Sequence, residues 1–205
     1  MSTLLLVKSS ILGDNGQSSF LAEAFVKRWL AAHPDGQVIT RDVGANPLPH
    51  LDGERFGAFT SDADSRSPAQ QAVVDESDAL VDELKHADVV VLGLPMYNFG
   101  VPSQLKSWFD HIARAGVTFE YTSEGPKGLL RDKPVFVFAA RGGMYHASGN
   151  DHQVPFVRQF LGFVGLKQVH VTFAEGLAMG DQKQASLDDA MARMDTLVET
   201  ARQAA

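Results

Sequence analysis

Two stretches, Val89–Leu94 (VVVLGL) and Pro134–Ala140 (PVFVFAA), contain no side chain that favours water. Each is bounded by turn residues, Pro95 after the first and Arg141-Gly142-Gly143 after the second. Apolar runs of this length, rich in Val and Phe, read as strands buried on both faces. A sheet with such strands needs a layer of helices on each side. The rest of the chain is therefore expected to supply further strands and helices in alternation, joined by right-handed crossovers into a parallel sheet.

It does so in order. Thr3–Val7 (TLLLV), the alternating Gln37–Val43 and Lys167–Ala174 read as three more strands. Phe20–Leu30 reads as a helix with Leu21, Phe25 and Trp29 on one stripe and Ser18 or Ser19 as N-cap. Ser67-Pro68-Ala69-Gln70 combines a capping box with proline at the first helical position, and predicts a helix to Ala87 that buries Val73, Leu80 and Leu84. Pro102 opens another, with Leu105, Trp108, Phe109 and Ile112 at helical spacing and Gly116 as the stop. Gln153–Val164 is a fourth, with Phe156, Phe160 and Phe163 on one side. A last helix, capped by Ser186, buries Ala190, Met194, Leu197 and Ala201. Gly44–Arg66 reads as a long excursion with one helical turn near Glu54–Phe59, and Val117–Tyr121 as a short strand or hairpin. Five main strands in 205 residues fit one domain, residues 1–205: an α/β three-layer sandwich whose five-stranded parallel sheet runs in the flavodoxin-like order 2-1-3-4-5, with helices on both faces.

In such a sheet, ligands bind at the loops outside the carboxyl ends of the strands. Net charge is −7 with no basic block, which argues against nucleic acid or an anionic membrane as partner. No 18-residue apolar span is present, so a cytoplasmic location is expected. There is no cysteine for thiol chemistry, no Ser-His-Asp or paired-carboxylate pattern, and no convincing metal set; His146 and His152 read as solvated loop residues. The first loop lacks both G-x-G-x-x-G and the P-loop pattern. It offers instead Ser10, Gln17, Ser18 and Ser19 just before a helix, whose free N–H groups and dipole can hold a phosphate ester. Met96, Tyr97, Asn98 and Phe99 after the third strand offer an apolar and amide-bearing face for a flat ring. Gly142 and Gly143 let the backbone approach the edge of that ring. A phosphate cradle, an aromatic-amide face and a glycine edge together describe a flavin mononucleotide site.

The resemblance is specific at this point. Lys8-Ser9-Ser10-Ile11-Leu12, Pro95 to Phe99, Gln104-Leu105-Lys106, Ala113 to Phe119, Tyr121-Thr122, Arg141-Gly142-Gly143, Phe160 to Phe163 and Phe173-Ala174-Glu175-Gly176 closely resemble the FMN-dependent NADH azoreductases, which also reduce quinones. That resemblance implies FMN as cofactor and NADH or NADPH as electron donor. It implies two-electron exchange through flavin N5, with quinones or azo compounds as acceptors. It implies phosphate contacts from Ser10 and from a segment that here reads Gly16-Gln17-Ser18, one hydroxyl short but with its backbone N–H retained. Ring contacts fall on Pro95, Met96, Tyr97, Asn98 and Phe99, and on Arg141, Gly142 and Gly143. No side chain is expected to be catalytic in its own right, since the flavin carries the chemistry. A homodimer with active sites at the subunit interface is implied, and Phe119, Tyr121, His146 and Phe163 are expected in the substrate pocket. The rival reading is a flavodoxin-like electron carrier without direct NADH turnover.

Overall fold

The computed structural model describes residues 2–204. Five parallel strands form one sheet: β1 (Thr3–Lys8), β2 (Gln37–Asp42), β3 (Val89–Pro95), β6 (Val135–Ala140) and β7 (Val169–Ala174), in the order β2-β1-β3-β6-β7. Counted without the short hairpin β4 (Phe119–Thr122) and β5 (Gly125–Gly128), which forms its own antiparallel sheet, the order is the expected 2-1-3-4-5. β3 and β6 are buried along their whole length. Their odd and even residues serve opposite layers. Val90, Leu92, Val135 and Val137 pack under α3 (Pro68–His86), α4 (Ser103–Ile112) and α5 (Gln153–Val164). Val89, Val91, Phe136 and Phe138 pack under α1 (Gln17–Ala32), α6 (Gln182–Ala192) and α7 (Met194–Ala204). The 53–60 part of the excursion folds as α2 (Gly53–Thr60), capped by Asp52 through the Arg55 N–H at 2.9 Å.

Several local expectations are corrected. α1 begins at Gln17 with Gly16 as N-cap, so Ser18 and Ser19 lie inside its first turn rather than capping it. Val74, not Val73, faces the core, because the buried stripe runs Val74, Ser77, Leu80, Val81, Leu84. Pro102 is the N-cap of α4, and Gly116, at φ 75°, turns the chain after the helix has already ended. The last helix is two, α6 and α7, and Ser186 sits within α6, where its hydroxyl accepts the Glu175 N–H at 2.9 Å. No helix among the described residues is long and apolar enough to cross a membrane.

The end of α3 is held by a buried cation. Lys133 Nζ donates to the carbonyls of Leu84 at 2.7 Å, Lys85 at 3.2 Å and Ala87, which lie past the reach of the helix's own N–H groups. Lys133→Met should therefore cost about 3 kcal/mol by leaving these carbonyls without a donor. Urea unfolding measures it, and a cost under about 0.5 kcal/mol would refute the role.

Candidate functional site

Three loops meet at the carboxyl ends of β1, β3 and β6. In the first, the α1 ladder starts with Phe20 N–H donating to the Gly16 carbonyl at 2.9 Å, which leaves the N–H groups of Gln17, Ser18 and Ser19 ahead of it. The hydroxyls of Ser18 and Ser19 are buried and have no hydrogen-bond partner among the described residues. A buried hydroxyl without a partner is costly unless something fills its bond. Two such groups in the first turn of a helix fit an anion as their missing acceptor. Ser10 lies alongside: its hydroxyl accepts the Leu12 N–H at 3.2 Å and stands 3.3 Å from the Tyr97 hydroxyl. The Gly16 N–H, retained where the hydroxyl is missing, donates to the Gly13 carbonyl at 3.1 Å. A Cβ at Gly16 would lie 2.2 Å from Ser10 Oγ. What Gly16 contributes is clearance for Ser10, and the missing hydroxyl follows from that packing.

Lys8, at the base of this loop, is taken up by carboxylates of its own chain. Its Nζ is bound to Asp14 and to Glu23 at 2.7 Å, with Asp42 at 3.7 Å. Burial alone would lower its pKa, but the hydrogen bonds to Asp14 and Glu23 outweigh burial and hold the proton well above the usual lysine range. The ammonium is thus a permanent brace between the end of β1 and α1.

The second loop is a tight reversal. Tyr97 and Gly100 exchange both backbone bonds, at 3.2 and 3.0 Å, around Asn98 at φ 50° and Phe99 at φ 67°. A two-residue turn of this kind needs positive φ at both central positions; asparagine tolerates it and phenylalanine rarely does. Such strain costs of order 1–3 kcal/mol per residue and gathers at functional sites. The Tyr97 side chain points back to the first loop, where its hydroxyl takes the Ile11 N–H at 3.2 Å. Gln153, at the start of α5, clamps the loop's two ends by donating to the carbonyls of Pro95 at 2.8 Å and Gly100 at 2.9 Å.

The third loop carries Arg141, Gly142 and Gly143. The Arg141 side chain is buried and pairs with Asp151 at 2.8 Å and Glu175 at 3.2 Å, with Phe173 under its guanidinium at 5.0 Å. Burial would raise the Asp151 carboxyl, but the Val154 N–H and the Arg141 guanidinium hold it below the usual carboxylate range. Arg141 is therefore a brace, and any contact it makes with a ring must come from its backbone. Gly142 and Gly143 instead line a cavity of about 290 Å³ with Met96, Asn98, Phe99 and Tyr145. Tyr145 stands edge-on to Phe99, centroids 5.8 Å apart, and close enough to Gly143 that a Cβ there would meet its ring at 2.9 Å. Tyr145, Gln153, Asp151 and Glu175 carry no local sequence signal that marks them as site residues, although Glu175 lies in the Phe173 to Gly176 motif.

The remaining expected pocket residues lie elsewhere in this chain. Phe163 packs against Phe119 at 4.3 Å and Phe119 against Tyr121 at 5.7 Å, a cluster beside a groove of about 480 Å³ lined by Phe156, Phe160 and Phe163 of α5. His146 stacks on Phe173 at 3.9 Å and faces a different cavity with Ser186, Asp189 and Arg193. Among the described residues no group of three or more His, Asp or Glu could hold a metal.

A helix start with free N–H groups and unpartnered hydroxyls, beside a slot on a parallel sheet of this order, has the parts that a phosphorylated planar ligand needs. The chain belongs to the flavodoxin-like fold family, whose model matches residues 2–198. A protein of Alcanivorax borkumensis named FMN-dependent NADH:quinone oxidoreductase is 54% identical over 198 residues, 96% of this chain and 99% of its own. One of the same name from Cellvibrio japonicus is 54% identical over 185 residues, 90% of this chain and 93% of its own. Among solved structures, an azoreductase of Bacillus anthracis aligns with a TM-score of 0.88 at 27% identity, covering 98% of this chain and all of that one.

Ser18→Ala gives a prediction that separates binding from folding. The hydroxyl has no protein partner to lose, so stability should change by less than about 0.5 kcal/mol. If it donates to a phosphate, FMN affinity should fall about tenfold on its removal. Fluorescence titration with FMN and thermal unfolding measure the two; unchanged affinity would remove Ser18 from the site.

Proposed function

We propose that this chain is an FMN-dependent NADH:quinone oxidoreductase that also reduces azo compounds, folded as a single FMN-binding domain over residues 1–205. The observation that carries the reading is the buried, unpartnered Ser18 hydroxyl in the first turn of α1, placed one loop away from the slot between Asn98 and Gly143. A cofactor with a monophosphate at one end and a flat ring at the other fits both. Ser10, Ser18 and the N–H groups of Gln17 to Ser19 hold the phosphate. Met96, Asn98 and Phe99 flank one face of the ring, and the Gly142 and Gly143 N–H groups meet its polar edge. The bound flavin supplies hydride exchange, taking two electrons from NADH, or NADPH, and returning them to a quinone or azo acceptor. The protein positions that ring, excludes water from one face, and offers hydrogen bonds where negative charge collects on reduction.

The proposal includes a homodimer with its active sites at the subunit interface. Within one chain, Phe119, Tyr121 and Phe163 form a cluster apart from the slot, and a two-fold partner can bring that same cluster over it. His146, stacked on Phe173 outside the slot, is kept in this reading as a substrate-pocket residue. An electron carrier on the same fold is the rival, and stopped-flow mixing with NADH decides: rapid loss of oxidised flavin absorbance is expected, and no direct reduction would establish the carrier. Heat release of the cofactor should yield FMN on chromatography. An adenine-containing flavin, or no flavin after reconstitution with excess FMN, would overturn the reading.

A further inference from the structure

The peptide units of the glycine edge are held from behind. The N–H of Leu177 donates to the Arg141 carbonyl, Ala178 to the Gly142 carbonyl and Gly176 to the Gly143 carbonyl, each at 3.0 Å. In a planar trans peptide the carbonyl and the following N–H point in opposite directions. Fixing the carbonyls of Arg141 and Gly142 on the 176–178 segment therefore fixes the N–H groups of Gly142 and Gly143 on the opposite side. Neither N–H has a protein partner among the described residues. Two glycines would otherwise be free to swing these peptides over a wide range.

Glu175 is the root of that segment. It is 8% exposed, and its Oε1 accepts three hydrogen bonds: from Tyr145 N–H at 2.8 Å, His146 N–H at 2.9 Å and Arg141 at 3.2 Å. Its own N–H is anchored on Ser186 Oγ at 2.9 Å. One carboxylate oxygen thus ties down the far end of the glycine loop, while the three residues that follow it hold the loop's carbonyls. On the near end, Arg141 N–H donates to the Ala174 carbonyl at 2.9 Å. Both ends and the middle of the loop are fastened to one strand end, centred on Glu175.

Resting on the FMN reading above, we infer that Glu175 is a positioning residue: through Oε1 it sets the direction of the Gly142 and Gly143 N–H groups and so tunes how tightly reduced flavin is held relative to oxidised flavin. It touches no part of the cofactor itself. The alternative is that it acts only as a buried negative charge.

Two substitutions separate position from charge. Glu175→Asp keeps the charge but draws the acceptor back by one methylene; Glu175→Gln keeps an oxygen in place and removes the charge. The holoproteins are compared for FMN dissociation and for two-electron midpoint potential. Glu175→Asp is expected to weaken FMN binding about tenfold and to weaken the reduced form a further tenfold, a fall of about 30 mV for a two-electron couple. Glu175→Gln is expected to stay within about threefold of wild type. Ala178→Pro, which deletes the N–H holding the Gly142 carbonyl and leaves Glu175 untouched, should shift the potential in the same direction, and serves if Glu175→Asp does not fold. Lys133→Met, a destabilising change remote from the loops, should leave the potential unmoved. Wild-type potential in a folded Glu175→Asp overturns the inference, as does wild-type potential in Ala178→Pro or a shift in Glu175→Gln alone. A wild-type protein that binds no FMN would instead refute the functional reading beneath it.

Discussion

Arg141→Met is expected to cost about 3–5 kcal/mol of stability, the largest effect of any single site substitution argued for this protein. The guanidinium is buried and stands between two carboxylates whose side chains are themselves about 9–10% exposed, Asp151 and Glu175. Methionine fills most of the volume but leaves both charges buried without a counter-ion, and an unpaired buried charge is far more costly than a missing surface pair. Losses beyond stability should follow. Asp151 also caps α5 through the N–H groups of Gln153 and Val154, both at 3.1 Å, and Gln153 clamps the Met96–Gly100 loop. Loosening Asp151 therefore slackens the loops on both sides of the ring slot. Urea unfolding gives the stability change, and FMN titration the effect on the site. If Arg141→Met alone unfolds within about 1 kcal/mol of wild type, the brace is not what holds these loops. The same pair sets a sign for acid. The Asp151 carboxyl is held below its usual range, so its contribution is present above the ordinary aspartate pKa and disappears as pH falls through the lower folded value.

The sheet was legible in the sequence because burial on both faces leaves an unmistakable trace: Val89–Leu94 and Pro134–Ala140 admit no water-facing position. The three loops were legible because their chemistry is local. A helix start carries its own free N–H groups, and Gly142-Gly143 can be read without knowing what lies nearby. What holds the loops was not, because it depends on strand register. Pairing Ala140 with Ala174 is what brings Arg141 beside Glu175, 34 positions away in the chain. Nothing in the local pattern of either residue announces the other. The fate of the Gly16 N–H was hidden for a different reason: the short turn Gly13–Asn15 that consumes it has no apolar periodicity to detect. The division of the last helix at Arg193 escaped notice because α6 buries only Leu187 and Ala190, too weak a stripe to mark where one helix stops and the next begins.

The proposed dimer is the part of the reading with the sharpest consequence, and Phe163→Glu is expected to dissociate it. Phe163 is half-buried against Phe119, while Phe156 and Phe160 continue the same apolar stripe along the groove on α5. Tyr121 is 76% exposed, on the β4 strand of a hairpin whose β5 strand packs on α5. The exposed Tyr121 beside the half-buried Phe119, Phe156, Phe160 and Phe163 makes one apolar strip at the surface, of the kind a partner covers. A two-fold axis uses one such surface twice, so each cluster can close the other chain's slot. A glutamate at position 163 would bury a charge without a counter-ion in that contact, a penalty of several kcal/mol set against an interface that must itself supply the association energy. Because Phe163 lies outside the slot lined by Met96, Asn98, Phe99, Gly142, Gly143 and Tyr145, FMN should still bind to the separated chain, within about threefold of wild type. Turnover of quinone should nevertheless fall at least about tenfold, since the acceptor would then meet a flavin face open to water. Sedimentation is expected to give twice the 22.2 kDa chain mass for the wild type and once that mass for Phe163→Glu. A dimer that survives the substitution would put the interface elsewhere, and a monomer with full quinone activity would show that each chain completes its own site.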